Sequence, residues 1–199
     1  MSRFVALLRG INVGGKNIIR MTDLRSCFES LGYADVDTYI QSGNVVFTAS
    51  STSPARLTSA IETSLSDRFR YNSRVCVVSA ASLQRIVAEA PDGFGGDPDR
   101  YRYDVIFLLT PITCREVMAQ VTARSGVDTV AQGGSALYFR RLSSKAAQSQ
   151  LNKLIQQPVY KHVTIRNWNT TTKLLDMVSD AEAPKKRTKA SSNPTRKNT

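Results

Sequence analysis

Twice along the chain, an apolar run of strand length is followed by a helically spaced segment and two short β-branched runs around a tight turn. A second helical segment and one more strand complete each round. Very few arrangements accommodate that order. In the first round residues 4–8 form the strand and Gly10, Gly14 and Gly15 punctuate a loop. Leu24, Cys27, Phe28 and Leu31 then repeat at helical spacing between a cap at Thr22 or Asp23 and a stop at Gly32. Residues 36–40 and 45–48 flank the turn Ser42-Gly43-Asn44. Ser53 and Pro54 open a helix with Leu57, Ala60, Ile61, Leu65 and Phe69 inward, and residues 74–78 close the unit.

The second round has a strand at 103–109 and a helix from Thr110 and Pro111, bearing Cys114, Val117, Met118 and Val121, that stops at Gly126. A hairpin of 127–131 and 136–142 turns at Gly133 and Gly134. A helix with Ala147, Leu151, Leu154 and Ile155 runs toward Pro158, and a strand spans 160–165. A closing helix, capped by Asn169, carries Leu174, Leu175 and Val178. Both rounds read βαββαβ, which predicts an α+β protein of two tandem ferredoxin-like (α/β plait) repeats, each an antiparallel sheet with helices on one face. The expected organisation is a first plait with its glycine loop over 1–80, then a bridging helix and a Gly/Pro/Asp-rich loop over 81–100. The second plait and closing helix fill 101–180, and a disordered basic tail covers 181–199.

Charge bears on partners. Of 27 Lys and Arg against 16 Asp and Glu, six bases and no acid lie in the last 16 residues, so the rest holds 21 bases against 16 acids. The body is modestly basic, and the tail reads equally as a solubilising arm or a non-specific nucleic-acid contact. The longest apolar runs have five residues, against about 20 for a bilayer span. Arg9 also cuts the first run short of a signal-peptide core, so a cytoplasmic protein without membrane contact is expected. Cys27, Cys76 and Cys114 lack any metal or disulfide spacing, and His162 is the only histidine. No metal and no cofactor is expected.

Three segments concentrate polar residues. Gly10-Ile-Asn-Val-Gly-Gly-Lys16-Asn17 approaches the phosphate-cradling pattern GxxxxGK[ST]. However, Asn17 supplies no hydroxyl for magnesium, and four residues separate the lysine from the helix. It reads either as a connection whose glycines permit positive φ, or as an anion-binding loop in which Arg9, Lys16 and backbone N–H groups face a phosphate or carboxylate. Gln41-Ser42-Gly43-Asn44 has turn composition on any reading. Thr164-Ile-Arg-Asn-Trp-Asn169 gathers Arg166, Asn167, the only tryptophan and Asn169 at a strand-to-helix junction. Core packing accounts for Trp168 and capping for Asn169, but Arg166 and Asn167 have no equally simple structural reason. Arg100-Tyr-Arg-Tyr103 and Leu137-Tyr-Phe-Arg-Arg141 could let the second sheet stack bases, although alternation sends Tyr138 and Phe139 to opposite faces.

The segments ALLRGINVGGKN (6–17), TYIQSGNVVF (38–47) and TIRNWNTTTKL (164–174) resemble the signatures of the bacterial domain-of-unknown-function family 1697. The resemblance runs from Phe4 to about Val178. It implies tandem α/β plaits and, about activity, almost nothing. The family's recurring polar positions fall on Arg9, Asn12, Gly14, Gly15, Lys16, Gln41, Ser42, Gly43, Asn44, Arg166, Asn167, Trp168 and Asn169. Where many members read GRSKL, this chain has Leu142-Ser-Ser-Lys-Ala146, which keeps Lys145 as a basic position.

The expected function is binding of a phosphate-bearing anion, nucleotide or nucleic acid, where the three motifs converge. Nucleic acid would be reached through the basic tail and the second sheet. The alternatives are an enzyme on a phosphorylated small metabolite, with Lys16, Lys145 or His162 moving a proton, and a scaffold that only presents surfaces. The oligomeric state is left open.

Overall fold

Residues 4–8 make an uninterrupted apolar run because their strand is covered on both faces. In the computed structural model, which describes residues 1–50 and 53–179, Phe4, Ala6 and Leu8 enter one core while Val5 and Leu7 enter another. The first sheet contains β1 (Ser2–Leu8), β2 (Ala34–Tyr39), β3 (Asn44–Ala49) and β4 (Val75–Ser79). Its helices are α1 (Met21–Ser30) and α2 (Pro54–Phe69). The second contains β5 (Tyr101–Leu108), β6 (Asp128–Gln132), β7 (Ala136–Leu142) and β8 (Val163–Asn167), with the short helices α4 (Cys114–Met118) and α5 (Leu151–Leu154). α3 (Ala80–Ala88) joins the halves and α6 (Trp168–Ser179) follows β8. The strand orders β2-β3-β1-β4 and β6-β7-β5-β8 are the same antiparallel ferredoxin-like order twice, so the fold is α+β with two tandem plaits.

One face of each sheet takes the helices of its own half: α1 and α2 pack on the first, α4 and α5 on the second. The other two faces turn toward a common core. Val5, Leu7, Val46 and Val78 meet it from the first sheet and Val105, Phe107, Ala136 and Tyr138 from the second, while Leu83 and Ile86 of α3 and Leu174 and Val178 of α6 fill it. This arrangement corrects the expected base-stacking role of the second sheet. Tyr138 and Phe139 do point to opposite faces, but both are fully buried, and the Tyr138 hydroxyl donates to the Ile86 carbonyl.

Several boundaries also differ from expectation. α1 starts at Met21 without a side-chain cap, rather than behind Thr22 or Asp23. α4 opens at Thr113, whose hydroxyl and the Glu116 carboxylate form a capping box, and ends well before Gly126. The single helix expected before Pro158 is instead a 3-10 segment (Ser143–Gln148) and the four-residue α5, and a second 3-10 segment (Pro158–His162) takes the start of the strand expected at 160–165. The break in the helix has a cause. Ser149 is extended, and the buried Asp128 carboxylate accepts from the Gln150 N–H at 2.9 Å and the Arg124 N–H at 3.0 Å, satisfying a donor that a continuous helix would have engaged.

All three cysteines are buried and unpaired. Among the described residues no helix is long and apolar enough to cross a membrane, and no three His, Cys, Asp or Glu side chains gather as a metal site. The basic tail lies outside the described residues.

Candidate functional site

The glycine loop is a hairpin tip. Gly14 and Gly15 have φ of 59° and 73°, and the Lys16 N–H donates to the Val13 carbonyl at 3.1 Å. That is a two-residue turn of the primed type, in which both central residues need positive φ. Lys16 therefore stands exposed at a loop tip, away from any helix N-terminus. Asn12, at φ 53°, ties the base of this hairpin: its Oδ1 accepts from the Ile19 N–H, and its Nδ2 donates to the Ile19 and Gln41 carbonyls. The last of these bonds fastens the glycine loop to the Gln41–Asn44 turn. Gly43 in that turn has φ 75°, and a Cβ there would meet Leu8 and Ile11 side chains at 2.8 Å, so the position is closed to other residues.

The third motif reaches the same place. Arg166, 9% exposed, donates from Nε to Asn44 Oδ1 and from Nη1 to Thr164 Oγ1 and the Ile165 carbonyl, both at 2.9 Å. Its Nη2 donates to the Leu8 carbonyl at 2.7 Å and to the Ser42 and Gly43 carbonyls at 3.3 and 3.4 Å. Asn44 is wholly buried and donates onward to the Tyr39 carbonyl and Ser42 Oγ. Arg166 thus clamps the second sheet to the end of the first. Every acceptor it has is neutral, and among the described residues no carboxylate pairs with it. Burial, with Arg9 nearby, pulls its pKa down to about 10, against smaller opposing contributions from Cys76 and Tyr160. Burial likewise raises the Cys76 thiol to about 12, which keeps it protonated and inert.

Beside this clamp lies a cleft of about 400 Å³, walled by Leu8, Arg9, Ser42, Arg166 and parts of both halves. Half-buried Arg9 donates from Nη1 to the Lys161 carbonyl at 2.7 Å and lies over the Tyr160 ring at 4.8 Å from its centroid. Arg74, exposed at the rim, makes only a loose 3.7 Å contact with Glu62. Among the described residues no carboxylate lines the cleft. Of the residues singled out in the sequence, Arg9, Ser42 and Arg166 meet here, with Asn12, Gln41 and Asn44 holding the walls together. Gly14, Gly15 and Lys16 do not line it. Tyr71, Arg74 and Tyr160 do, and no motif marked them, since they come from a turn before β4 and a 3-10 segment before β8.

The rest of the last motif goes elsewhere, which corrects the expectation that the whole of it converges. Alternation along β8 turns Asn167 away from Arg166, and Asn167, Trp168 and Asn169 border a second cleft of about 300 Å³ with Asp104 and Arg141. Asn167 is the helix cap, its Oδ1 accepting the Thr170 N–H at 2.7 Å, so the expected cap at Asn169 is two residues late. Trp168 packs edge-on to Phe94 at 5.1 Å and against Gly95, a core role. Asp104 and Arg141 pair at 3.1 Å. Burial raises the Asp104 pKa, while Arg141 and Arg102 pull it back. Lys145 is exposed in the 3-10 segment after β7 and lines neither cleft.

A family model described as "Protein of unknown function (DUF1697)" matches residues 1–138, which include the glycine hairpin, the Gln41–Asn44 turn and the whole first sheet. The chain belongs to this DUF1697 family. Among solved structures it is similar to the conserved bacterial protein SP0830 from Streptococcus pneumoniae. That similarity has 28% identity and a TM-score of 0.78, covering 89% of this chain and 98% of that one. No curated protein matches. The DUF1697 match ends before β8, so the hairpin and turn fall within it and their clamp, Arg166, falls outside.

Proposed function

We propose that the protein binds a small phosphate-bearing anion in the cleft at the end of β1, contacted by Arg9 and Arg74. The observation that carries this reading is Arg166, a buried guanidinium with six neutral acceptors and, among the described residues, no counter-charge. Neutral acceptors orient a charge without cancelling it, and a buried unpaired charge is costly. With Arg9 and Arg74 beside it and no acid among the described residues of the lining, the site lowers its free energy by admitting an anion, to which guanidinium donors make strong charge-assisted bonds. None of Lys16, Lys145 and His162 lines the cleft, so this is a binding role without an assigned proton-transfer group. Contact with nucleic acid falls in this reading to the basic tail. Three unpaired cysteines favour a reducing, cytoplasmic setting.

The test is a thermal-shift titration with orthophosphate, pyrophosphate and sugar phosphates on the wild-type protein and on Arg9→Gln/Arg74→Gln. A ligand at 100 times its Kd adds about 2.7 kcal/mol, which raises the melting temperature by several degrees. The wild type should show this rise and the double variant should not. An equal rise in both, or none in either at millimolar concentration, defeats the proposal.

A further inference from the structure

Resting on that anion-binding reading, we infer that the cleft takes a nucleoside monophosphate, its phosphate meeting Arg9 and Arg74 and its base stacking on Tyr71. The cleft is built from two aromatic residues, one from each half. Tyr71 packs against the core under α1 and α2, Tyr160 against the core under α4 and α5, and both line the cleft. They are not equivalent. The Arg9 guanidinium already lies over Tyr160, whereas among the described residues Tyr71 has neither a ring nor a cation against it. Its hydroxyl donates to Ser73 Oγ at 3.1 Å, which fixes the ring's direction.

A fixed, half-buried ring without a stacking partner is a platform for a planar group. The next residue, Asn72, is exposed in the same lining and makes no hydrogen bond among the described residues. Its carboxamide can both donate to and accept from the edge of a base. At about 400 Å³ the cleft lies in the range of small-ligand sites. The guanidiniums, the free ring and the free carboxamide correspond to the phosphate, face and edge of one nucleotide. A sugar phosphate would leave the ring and the amide unused.

The full-length protein is titrated calorimetrically with inorganic phosphate, ribose 5-phosphate, adenosine, AMP and a short single-stranded oligonucleotide. AMP should bind about tenfold more tightly than ribose 5-phosphate, the scale of one aromatic–base stack, and adenosine should not bind detectably. Tyr71→Leu should reduce AMP to the level of ribose 5-phosphate and leave ribose 5-phosphate unchanged. Because Tyr71 also packs on a core, Asn72→Ala is the second variant. It is exposed, should keep the wild-type melting temperature, and should weaken AMP several-fold but not ribose 5-phosphate.

Equal affinity for AMP and ribose 5-phosphate in the wild type overturns the nucleotide assignment while leaving the anion site intact. So does Asn72→Ala weakening both ligands alike or neither, or Tyr71→Leu weakening both alike with its fold intact. An oligonucleotide that binds more tightly than AMP and loses that affinity in both Arg9→Gln/Arg74→Gln and Asn72→Ala overturns it in favour of a nucleic-acid chain seated in the cleft. Failure of every phosphate compound removes both readings.

Discussion

The two clefts that flank β8 differ in how their charge is balanced. On one side Arg141 has the Asp104 carboxylate at 3.1 Å, so its charge is met within the protein. On the other, one residue away from Asn167, Arg166 is more deeply buried and is met only by carbonyls, a hydroxyl and an amide. The first arrangement is closed, and a ligand has little charge left to meet there. The second fixes a cation in place by geometry and leaves its charge to be balanced from outside. A cluster of polar residues is therefore not in itself a binding site; what distinguishes the two places is the residual charge after internal partners are counted.

The largest expected effect tests that contrast directly. Arg166→Ala removes a charged donor set and leaves the Asn44 and Leu8 acceptors buried without partners, and should cost about 3–5 kcal/mol in denaturant unfolding. Arg141→Ala, at a partly exposed pair, should cost less. A loss below about 1.5 kcal/mol for Arg166→Ala would mean that the clamp is not what joins the halves at this end. Next in size, Asn167→Ala should lose about 1 kcal/mol as a helix cap, while Asn169→Ala stays within about 0.5 kcal/mol. The reverse order would restore the cap to Asn169.

The smallest effect concerns Asp104. Its pKa is raised by burial, so the folded protein holds this proton more tightly than the unfolded chain, whose value is about 3.9. The stabilisation is present in full below about pH 4 and is lost as pH rises through the folded value. Melting curves from acid to neutral pH should show that decline in the wild type and a flatter profile in Asp104→Asn. Parallel profiles would show that Arg141 and Arg102 offset the burial completely.

The succession of strands and helices was legible because alternation and turn residues are local signals, and each half is built from them. The Ser42-Gly43-Asn44 turn and most of the inward faces of α1 and α2 could be placed from spacing alone, although Ala60, expected inward on α2, is exposed. The role of Arg166 could not. Its acceptors are mostly backbone carbonyls, and those outside β8 lie between 122 and 158 residues away in sequence. Carbonyl groups carry no side-chain signature, so the sequence shows an arginine without a partner where the fold supplies several. The same holds for the interrupted helix before Pro158. Its apolar spacing is helical, but the Asp128 carboxylate that captures the Gln150 N–H comes from a strand 22 residues earlier. Asn167 and Asn169 are equally good caps by composition, and pairing of Asn167 with Asp104 across the strands fixes where β8 ends.

The common core between the sheets also sets a timetable for synthesis. When the first half has emerged from the ribosome as far as Ser79, Val5, Leu7, Val46 and Val78 face water until α3, the second sheet and α6 arrive. The covering elements are complete only at Ser179, 100 residues later, which at about 5–20 residues per second is an interval of roughly 5–20 s. During that interval the nascent chain presents an apolar sheet face to its neighbours. A stalled or truncated product would therefore be a substrate for chaperones and proteases rather than a working half-protein.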